Sequence, residues 1–476
     1  MKSTCILCRN PAGHSREHVL PAALGGRRKD KGIYCATHNG ELSPLVSVLA
    51  AQLEVFNAFL AVRPDRSKEA RRLEVEHQAT GENYSLSGAD LRFAKPKVLR
   101  DVMANGQREM TMAFSDERQW QEWLEAVRKQ GFQVSSIKMG QPLQHAVTVP
   151  LKVELKLGGP VGLRSVGYVA LSHLAHYFPA VARDAALDAF KEYVLGDGAG
   201  RFVGWDFSAE SDKLPPNTYQ FGHRIVLGLD ADRGQAYAHV ILFSTLAWGV
   251  RFGAAAIAES ETKVIDINPL ADYAPDDVTV RDFPSSLVPV ESFPEPPTYD
   301  YIPEGQVRIS RFLRGVEELR WNAGGPVIVA ELNAARSLNG AELESQVRRI
   351  LAGQDQLLLN LMTFVADEFA SAHAAQAAEN PLIPVIEAAL RAMTAADSQS
   401  GTGLTTESRA GVALVREVLA FHISQELRVR DLGLDELRQL LKGGVGAALV
   451  AQAMLAPVFE QLGIPLSELG SPLAPA

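Results

Sequence analysis

Apolar and polar residues alternate along several short segments between residues 70 and 270. The alternation is clear in Leu73–His77 and Tyr84–Leu86, and again in His223–Leu229 and Gln235–Phe243. Two alternating segments joined by a short polar turn are typical of a β-hairpin. Segments with a helical period lie between these hairpins. The pattern therefore predicts an α+β domain with an antiparallel sheet over 70–270.

A helical period dominates both ends of the chain. It runs from Leu42 to Leu60 and returns in an alanine- and leucine-rich region over 306–476. Before that region, six prolines fall within twenty residues, and proline fixes φ and lacks a backbone donor. We predict four parts: an N-terminal module over 1–62, an α+β domain over 70–270, a Pro-rich linker over 271–305 and a mostly helical domain over 306–476.

The composition is that of a soluble globular protein, with 46% hydrophobic residues, 22% charged residues and a net charge of −9. A length of 476 residues exceeds one ordinary domain. Met1 leads directly into a cysteine motif without a signal peptide. The longest apolar run, Val445–Phe459, is shorter than the roughly 20 residues that a membrane helix needs. We expect a cytoplasmic protein without a membrane partner.

All three cysteines lie near the start of the chain. Cys5 and Cys8 are separated by two residues, as are Cys35 and His38. Two such pairs joined by a loop are typical of a zinc knuckle, in which two tight turns hold one tetrahedral ion. The spacing predicts a structural Zn²⁺ bound by three thiolates and one imidazole, and it indicates a reducing compartment. The alternative is three unrelated cysteines and a surface histidine.

Between the two pairs, Glu17 and His18 bring a carboxylate beside an imidazole, just before Pro21 and the double glycine Gly25–Gly26. Imidazole is suited to general-base catalysis near neutral pH, and a carboxylate is a hard ligand for Mg²⁺ or Mn²⁺. Adjacent side chains of a strand point to opposite faces. Glu17 and His18 should therefore diverge unless the chain bends there.

The stretch resembles an HNH endonuclease, the ββα-metal nuclease motif, in the version built around a zinc knuckle. Members of that family read roughly as Cys-x2-Cys, an acidic residue and His, Pro, Gly-Gly, and then Cys-x2-Cys-Asn. The matching positions here are Cys5, Cys8, Glu17, His18, Pro21, Gly25, Gly26, Cys35 and Asn39. The resemblance implies that His18 is the general base and that Glu17 and Asn39 bind the catalytic divalent metal, either Mg²⁺ or Mn²⁺. It covers under a tenth of the chain.

The stretch departs from the family at two positions. His38 stands where the family usually has cysteine, and histidine is an accepted zinc ligand. The middle asparagine, which orients the base in the family, is missing. Asp30 is a candidate for its role, because its carboxylate can accept a hydrogen bond from the His18 ring. Because the asparagine is missing, the alternative is that the site is slow or inactive.

The first 40 residues are basic, although the whole chain is acidic. They hold seven lysines and arginines against Glu17 and Asp30. Local neutralisation of phosphates governs nucleic-acid affinity, so a basic module on an acidic body can still bind DNA. The predicted phosphate contacts are Arg27, Arg28, Lys29 and Lys31; the alternative is a solvated basic loop.

The sequence therefore predicts a metal-dependent endonuclease acting on DNA. The alternative is a zinc-stabilised nucleic-acid-binding or scaffold protein whose nuclease motif has decayed. Nucleases of this type occur in phage defence, and defence against foreign DNA is one expectation. A homodimer is a further expectation, because two such sites in one dimer can cut both DNA strands more easily than a single site can.

Overall fold

The computed structural model describes most of the chain. The described residues are 4–12, 16–65, 67, 69–77, 81–88, 90–104, 107–134, 136–138, 151–153, 155–198, 200–206, 215–271, 278–283, 303–375, 377, 380–395, 405–442 and 444–463. Contacts divide the chain into two compact units. The first unit comprises residues 1–74, 85–92 and 153–318, and the second comprises residues 75–84, 93–152 and 319–476. The domain boundaries predicted from the sequence remain predictions.

The chain begins with two short strands followed by two helices. Their bounds are β1 Arg16–His18, β2 Lys29–Lys31, α1 Ala36–Gln52 and α2 Glu54–Phe59. Strand β1 pairs antiparallel with β2. The predicted helical run from Leu42 to Leu60 corresponds to α1 and α2. Leu42, Leu45 and Leu49 of α1 and Val55 and Phe56 of α2 are buried.

Six strands and one helix follow. Their bounds are β3 Leu73–His77, β4 Asn83–Ser87, β5 Asp90–Phe93, β6 Lys97–Ala104, β7 Gln107–Ala113, α3 Glu117–Lys129 and β8 Leu151–Lys152. Strands β6 and β7 form a two-stranded ribbon, and the other four form a sheet in the order β5-β4-β3-β8. The Asp116 side chain caps α3 by accepting from the Gln119 N–H at 2.8 Å.

The core of the first unit is a helix packed on an antiparallel sheet. The helices are α4 Gly159–Tyr177 and α5 Asp188–Leu195; the strands are β9 Val203–Trp205, β10 His223–Asp230, β11 Gln235–Leu242, β12 Leu246–Ala254, β13 Glu261–Ile267 and β14 Val278–Phe283. The sheet order is β14-β13-β10-β11-β12-β9. The predicted hairpin of β10 and β11 is confirmed by a register that pairs Arg224 with Ile241 and Asp230 with Gln235.

Helix α4 is covered on most sides. It packs against α1 and against the strands of the six-stranded sheet. Every residue from Ser165 to Ala175 is buried. A helix that is apolar on nearly all its faces must be covered in this way. The N-terminal module and the sheet are therefore held on one shared helix.

Strand β14 lies within 271–305, the stretch whose prolines predict a linker. It pairs antiparallel with β13 at the edge of the sheet. Residues 272–277 and 284–302, which hold most of those prolines, lie outside the described residues.

The C-terminal region is helical, as predicted. Its helices are α6 Pro303–Ala335, α7 Gly340–Ala352, α8 Asp355–His373, α9 Leu382–Ala392, α10 Thr406–Val429, α11 Leu434–Lys442 and α12 Val445–Leu462. One apolar stripe of α10 is buried in their common core, since Val412, Val415 and Leu419 are at most 2% exposed. On α8, Leu361 is buried, whereas Phe364 is 45% exposed and does not belong to the core.

One segment, Leu434–Leu462, is long and apolar enough to cross a membrane by length and composition alone. Half of its most apolar window is buried within the protein. Met454, Leu455 and Phe459 lie in the core of the second unit. A helix buried in a protein core can also meet this criterion of length and composition.

Candidate metal centre and active site

Cys5, Cys8, Cys35 and His38 come together in a cluster that can hold a metal ion. Their ligand atoms all lie within 4.8 Å of one another. The Sγ atoms of Cys8 and Cys35 are 3.8 Å apart, and His38 Nδ1 is 3.5 Å from Cys5 Sγ and 3.3 Å from Cys35 Sγ. Tetrahedral zinc separates its sulfur and nitrogen ligands by roughly 3.5–3.8 Å. The spacing fits one structural Zn²⁺, as the sequence predicts.

The backbone holds the two halves of this cluster in place. The Cys5 N–H donates to the Asn10 carbonyl at 2.7 Å, which closes the first turn. The Ile6 N–H donates to the Ile33 carbonyl at 3.0 Å and joins the two cysteine loops. Cys35 is the residue that caps the N-terminus of α1. The partial positive charge of a helix N-terminus favours a thiolate at that position.

The thiols of the cluster differ in proton affinity. Burial alone would raise the pKa of Cys35, but hydrogen bonds from the backbone and side chain of His38 outweigh it and lower the pKa to about 7. Burial raises the pKa of Cys8. The other ring nitrogen of His38 is 3.7 Å from a Glu41 oxygen. A carboxylate behind a ligating histidine commonly orients the imidazole ring toward the metal.

The double glycine between β1 and β2 is required by close backbone approach. A Cβ atom at Gly25, where φ is +81°, would lie 2.6 Å from the Pro269 carbonyl oxygen. A Cβ atom at Gly26 would lie 2.0 Å from the Leu20 carbonyl oxygen. The intervening Ala22–Leu24 forms a single 3₁₀ turn. Gly25 and Gly26 therefore have a structural role that fixes the path of the loop.

The pairing of β1 with β2 sorts their side chains onto two faces. The register places Glu17 opposite Asp30. Directly opposed residues of an antiparallel pair share a face, and adjacent residues alternate. We call the face of Glu17 and Asp30 the inner face. The outer face carries Arg16, His18, Lys29 and Lys31.

The inner face meets α4. The Tyr168 hydroxyl donates to Glu17 Oε1 at 3.0 Å, and His176 Nδ1 is 2.5 Å from Asp30 Oδ2. A side-chain hydrogen bond also joins Asn39, in the first turn of α1, to Glu17. The two carboxylates of this face therefore each have a partner on α4, and Glu17 and Asn39 are adjacent.

Burial raises the pKa of Glu17, because its charged form loses hydration. Hydrogen bonds from Tyr168, from the His18 backbone and from Asn39 act in the opposite direction but do not cancel the effect. A carboxylate in this state gains from any cation that lies beside it. Glu17 and Asn39 supply oxygen atoms of the kind that Mg²⁺ and Mn²⁺ prefer.

On the outer face, His18 contacts Asp65. The distance from His18 Nε2 to Asp65 Oδ2 is 2.9 Å, and Lys29 Nζ is 2.5 Å from the same oxygen. The hydrogen bond from Lys29, together with the contact with His18, lowers the pKa of Asp65 to about 2 although burial opposes the shift. An anionic Asp65 favours the neutral His18 tautomer with its proton on Nε2, which leaves Nδ1 as the basic nitrogen.

The residues predicted to contact nucleic acid differ in whether their side chains contact the protein or solvent. The side chain of Arg27 is 7% exposed and donates to the Arg63 carbonyl at 2.8 Å. Arg28 donates to the Tyr177 hydroxyl at 2.9 Å. Lys31 is exposed. Arg27 and Arg28 therefore contact the protein itself, and Lys31 faces solvent.

The register places Asp30 and His18 on opposite faces of the strand pair, and Asp30 contacts His176. Asp65 contacts His18 where the sequence suggested Asp30. Asp65 was not predicted from the sequence, because it follows α2 and lies outside the motif. Tyr168 and His176 were not predicted either, because they belong to a helix more than 100 residues away in sequence. No local pattern marks these three residues.

A scan against protein-family models and searches of curated proteins and solved structures each found no match to this chain.

Proposed function

We propose that this chain is an HNH-type endonuclease that hydrolyses phosphodiester bonds in DNA with Mg²⁺ or Mn²⁺. The observation that supports this most directly is the Glu17–Asn39 contact between β1 and α1, next to a cluster that can hold zinc. The order strand, strand, helix is the order of the motif that the sequence resembles. The proposal rests on that order together with these contacts.

Glu17 and Asn39 are proposed to hold the catalytic cation. Their donors suit it, and the raised pKa of Glu17 leaves a carboxylate that a cation would favour. When bound, Mg²⁺ or Mn²⁺ supplies stabilisation of the negative charge that develops on the phosphate and on the leaving 3′ oxygen. The cysteine cluster is proposed to stabilise the fold and to take no part in catalysis.

His18 is proposed to accept the proton of the attacking water at Nδ1. Asp65 holds Nε2 and would stabilise the imidazolium that forms. Lys29 keeps Asp65 ionised. In this arrangement Asp65 is a positioning residue, because it acts through His18.

A plasmid-nicking assay tests the proposal. Zinc-loaded protein should relax supercoiled plasmid with Mg²⁺ or Mn²⁺, and His18→Ala should lose this activity. His422→Ala, which removes a histidine from α10, is the matched control and should nick as wild type does. Absence of nicking by wild type with either cation would refute the nuclease proposal.

The second candidate is a zinc-stabilised nucleic-acid-binding protein with a decayed nuclease motif. The observation that favours it is the divergence of Glu17 and His18 onto opposite faces, since metal and base act on one phosphate in a nuclease. The hydrogen bond from Tyr168 to Glu17 points the same way. This candidate would be supported if wild type binds DNA without nicking it and if His18→Ala binds DNA with the wild-type affinity.

A further inference from the structure

All three opposed pairs of β1 and β2 place like or potentially like charges together. They are Arg16 with Lys31, Glu17 with Asp30, and His18 with Lys29. Like charges directly opposite each other destabilise a strand pair. A compensating group near each pair would offset this cost.

Two of the pairs have such a group within the protein. On the inner face, Tyr168 and His176 contact the two carboxylates. On the outer face, the single carboxylate of Asp65 contacts His18 and Lys29.

The third pair has none among the residues that the structure describes. Arg16 and Lys31 are both exposed, and the described part of the chain supplies neither an ion pair nor a side-chain hydrogen bond to them. Two adjacent cations without an internal anion favour an external one.

We propose that Arg16 and Lys31 form a docking pair for the phosphodiester backbone of nucleic acid, two residues along the strands from His18 and its opposed Lys29. The inference rests on the proposed function, because it takes His18 as the reacting end of the outer face. It moves the main phosphate contact from Arg27 and Arg28, which contact the protein, to Arg16 and Lys31.

The spacing along β1 agrees with this occupant. Arg16 and His18 are two residues apart on one face, which is roughly 6.8 Å along an antiparallel strand. Phosphates of one DNA strand advance about 3.4 Å along the helix axis per nucleotide, but they lie on the outside of the duplex, so neighbouring phosphates are roughly twice that distance apart through space. A backbone lying along β1 can therefore place one phosphate at Arg16 and Lys31 while the next phosphate lies near His18.

The test measures DNA binding directly, without cleavage. The dissociation constant of a labelled duplex is measured by fluorescence anisotropy at several salt concentrations, with zinc-loaded protein and no added Mg²⁺. Loss of two phosphate contacts should reduce the slope of log K against log salt by about 1.8 in magnitude. We expect this change, with weaker binding, for R16Q/K31Q.

The matched control is R118Q/K129Q, which removes the same charge from two residues of α3 that are 81% and 80% exposed. It should keep the wild-type slope. An equal change in the control would mean that only net charge matters and would overturn the proposal.

An unchanged slope in a zinc-replete R16Q/K31Q would also overturn it, as would failure of wild type to bind the duplex. Inorganic phosphate that binds as tightly as the duplex would indicate a small-anion site instead. If R16Q/K31Q flattens the slope while wild type never nicks plasmid, the docking pair stands and the nuclease proposal fails.

Discussion

Two sets of candidate metal ligands lie within the first 39 residues, and they differ in how the protein treats them. The thiols of the Cys5, Cys8, Cys35 and His38 cluster lie against one another, with ligand atoms at the spacing of a tetrahedral ion. Glu17, by contrast, accepts hydrogen bonds from Tyr168 and from Asn39. The first set is arranged around a position for a cation. In the second set, the Glu17 carboxylate already accepts hydrogen bonds from the protein.

The difference predicts two kinds of metal binding. Close-packed thiols gain most of their stabilisation from a cation, because sulfur is a weak hydrogen-bond partner. Metal binding to such a cluster is then part of the folding free energy. A cation at Glu17 and Asn39 has to compete with existing hydrogen bonds, so it should bind reversibly. Five measurements test this contrast and the site behind it.

The largest effect is expected from Cys8→Ser. This variant should lose the single zinc ion and loosen residues 1–40, because structural zinc contributes on the order of 10 kcal/mol to small units. Elemental analysis of the purified protein and limited proteolysis within the module measure the two effects. His38→Cys, which keeps a fourth ligand, is the control and should retain zinc. Wild-type protein purified without zinc would contradict the assignment.

The next largest effect concerns catalysis at the second site. His18→Ala should cleave DNA at least about 10²-fold more slowly while binding DNA and Mn²⁺ normally, since a general base contributes this much. Glu17→Ala should weaken Mn²⁺ binding, and excess Mn²⁺ should restore part of its activity. Single-turnover cleavage across a Mn²⁺ series separates the two variants. Rescue of His18→Ala but not of Glu17→Ala would show that the two roles are reversed.

The cluster of three cysteines and His38 was predictable from the sequence because its candidate ligands come in two local pairs. Cys5 with Cys8, and Cys35 with His38, each lie on one turn, so their spacing in sequence fixes their spacing in the structure. The same reasoning worked for the β10–β11 hairpin and for α10, whose periods of two and 3.6 are local properties.

The partners of Glu17 and His18 were not predictable, because they are distant in sequence and only tertiary packing brings them close. Tyr168 belongs to α4, a helix whose apolar pattern indicates only that it is buried. The side of α4 that meets β1 depends on how the module packs against it. Alternation over residues 27–29, which lead into β2, explains why Arg28 contacts α4 while Arg27 and Lys29 contact Asp65.

A smaller effect is expected from Asp65→Asn, which keeps the shape of the side chain and removes its charge. Cleavage should fall roughly 10-fold, less than in His18→Ala, because the base itself remains. The acid limb of the pH–rate profile should move to lower pH, since the Asp65 anion favours the protonated ring of His18. A purely structural role for Asp65 would reduce the rate without moving that limb.

The same variant has a defined effect on stability. Because the pKa of Asp65 is lowered from 3.8 to about 2, its ionised form stabilises the fold above the unfolded value, and this stabilisation disappears as pH falls through about 2. Asp65→Asn should therefore lower the melting temperature at neutral pH, with the difference vanishing toward pH 2. An equal difference at every pH would mean that the charge is not responsible.

The smallest effect separates the two actions of the Tyr168 hydroxyl on Glu17. The hydroxyl competes with a cation for the carboxylate, but it also lowers the pKa of Glu17 against the effect of burial. Tyr168→Phe should tighten Mn²⁺ binding roughly 2- to 10-fold at about pH 8.5, because one net hydrogen bond to the carboxylate is lost. The gain should shrink at a lower pH, closer to the raised pKa of Glu17, because that pKa rises further without the hydroxyl.

Tyr34→Phe is the matched control for this last variant. Tyr34 stacks on Tyr168 at 5.8 Å and is equally buried, but its hydroxyl contacts Ser172 at 3.0 Å instead of Glu17. Isothermal titration of zinc-loaded protein with Mn²⁺ should show the wild-type affinity for Tyr34→Phe at both pH values. If Tyr168→Phe weakens Mn²⁺ binding even at the higher pH, the hydroxyl holds Glu17 in place for the cation. The second ligand set would then be preorganised like the first, and the contrast between them would fail.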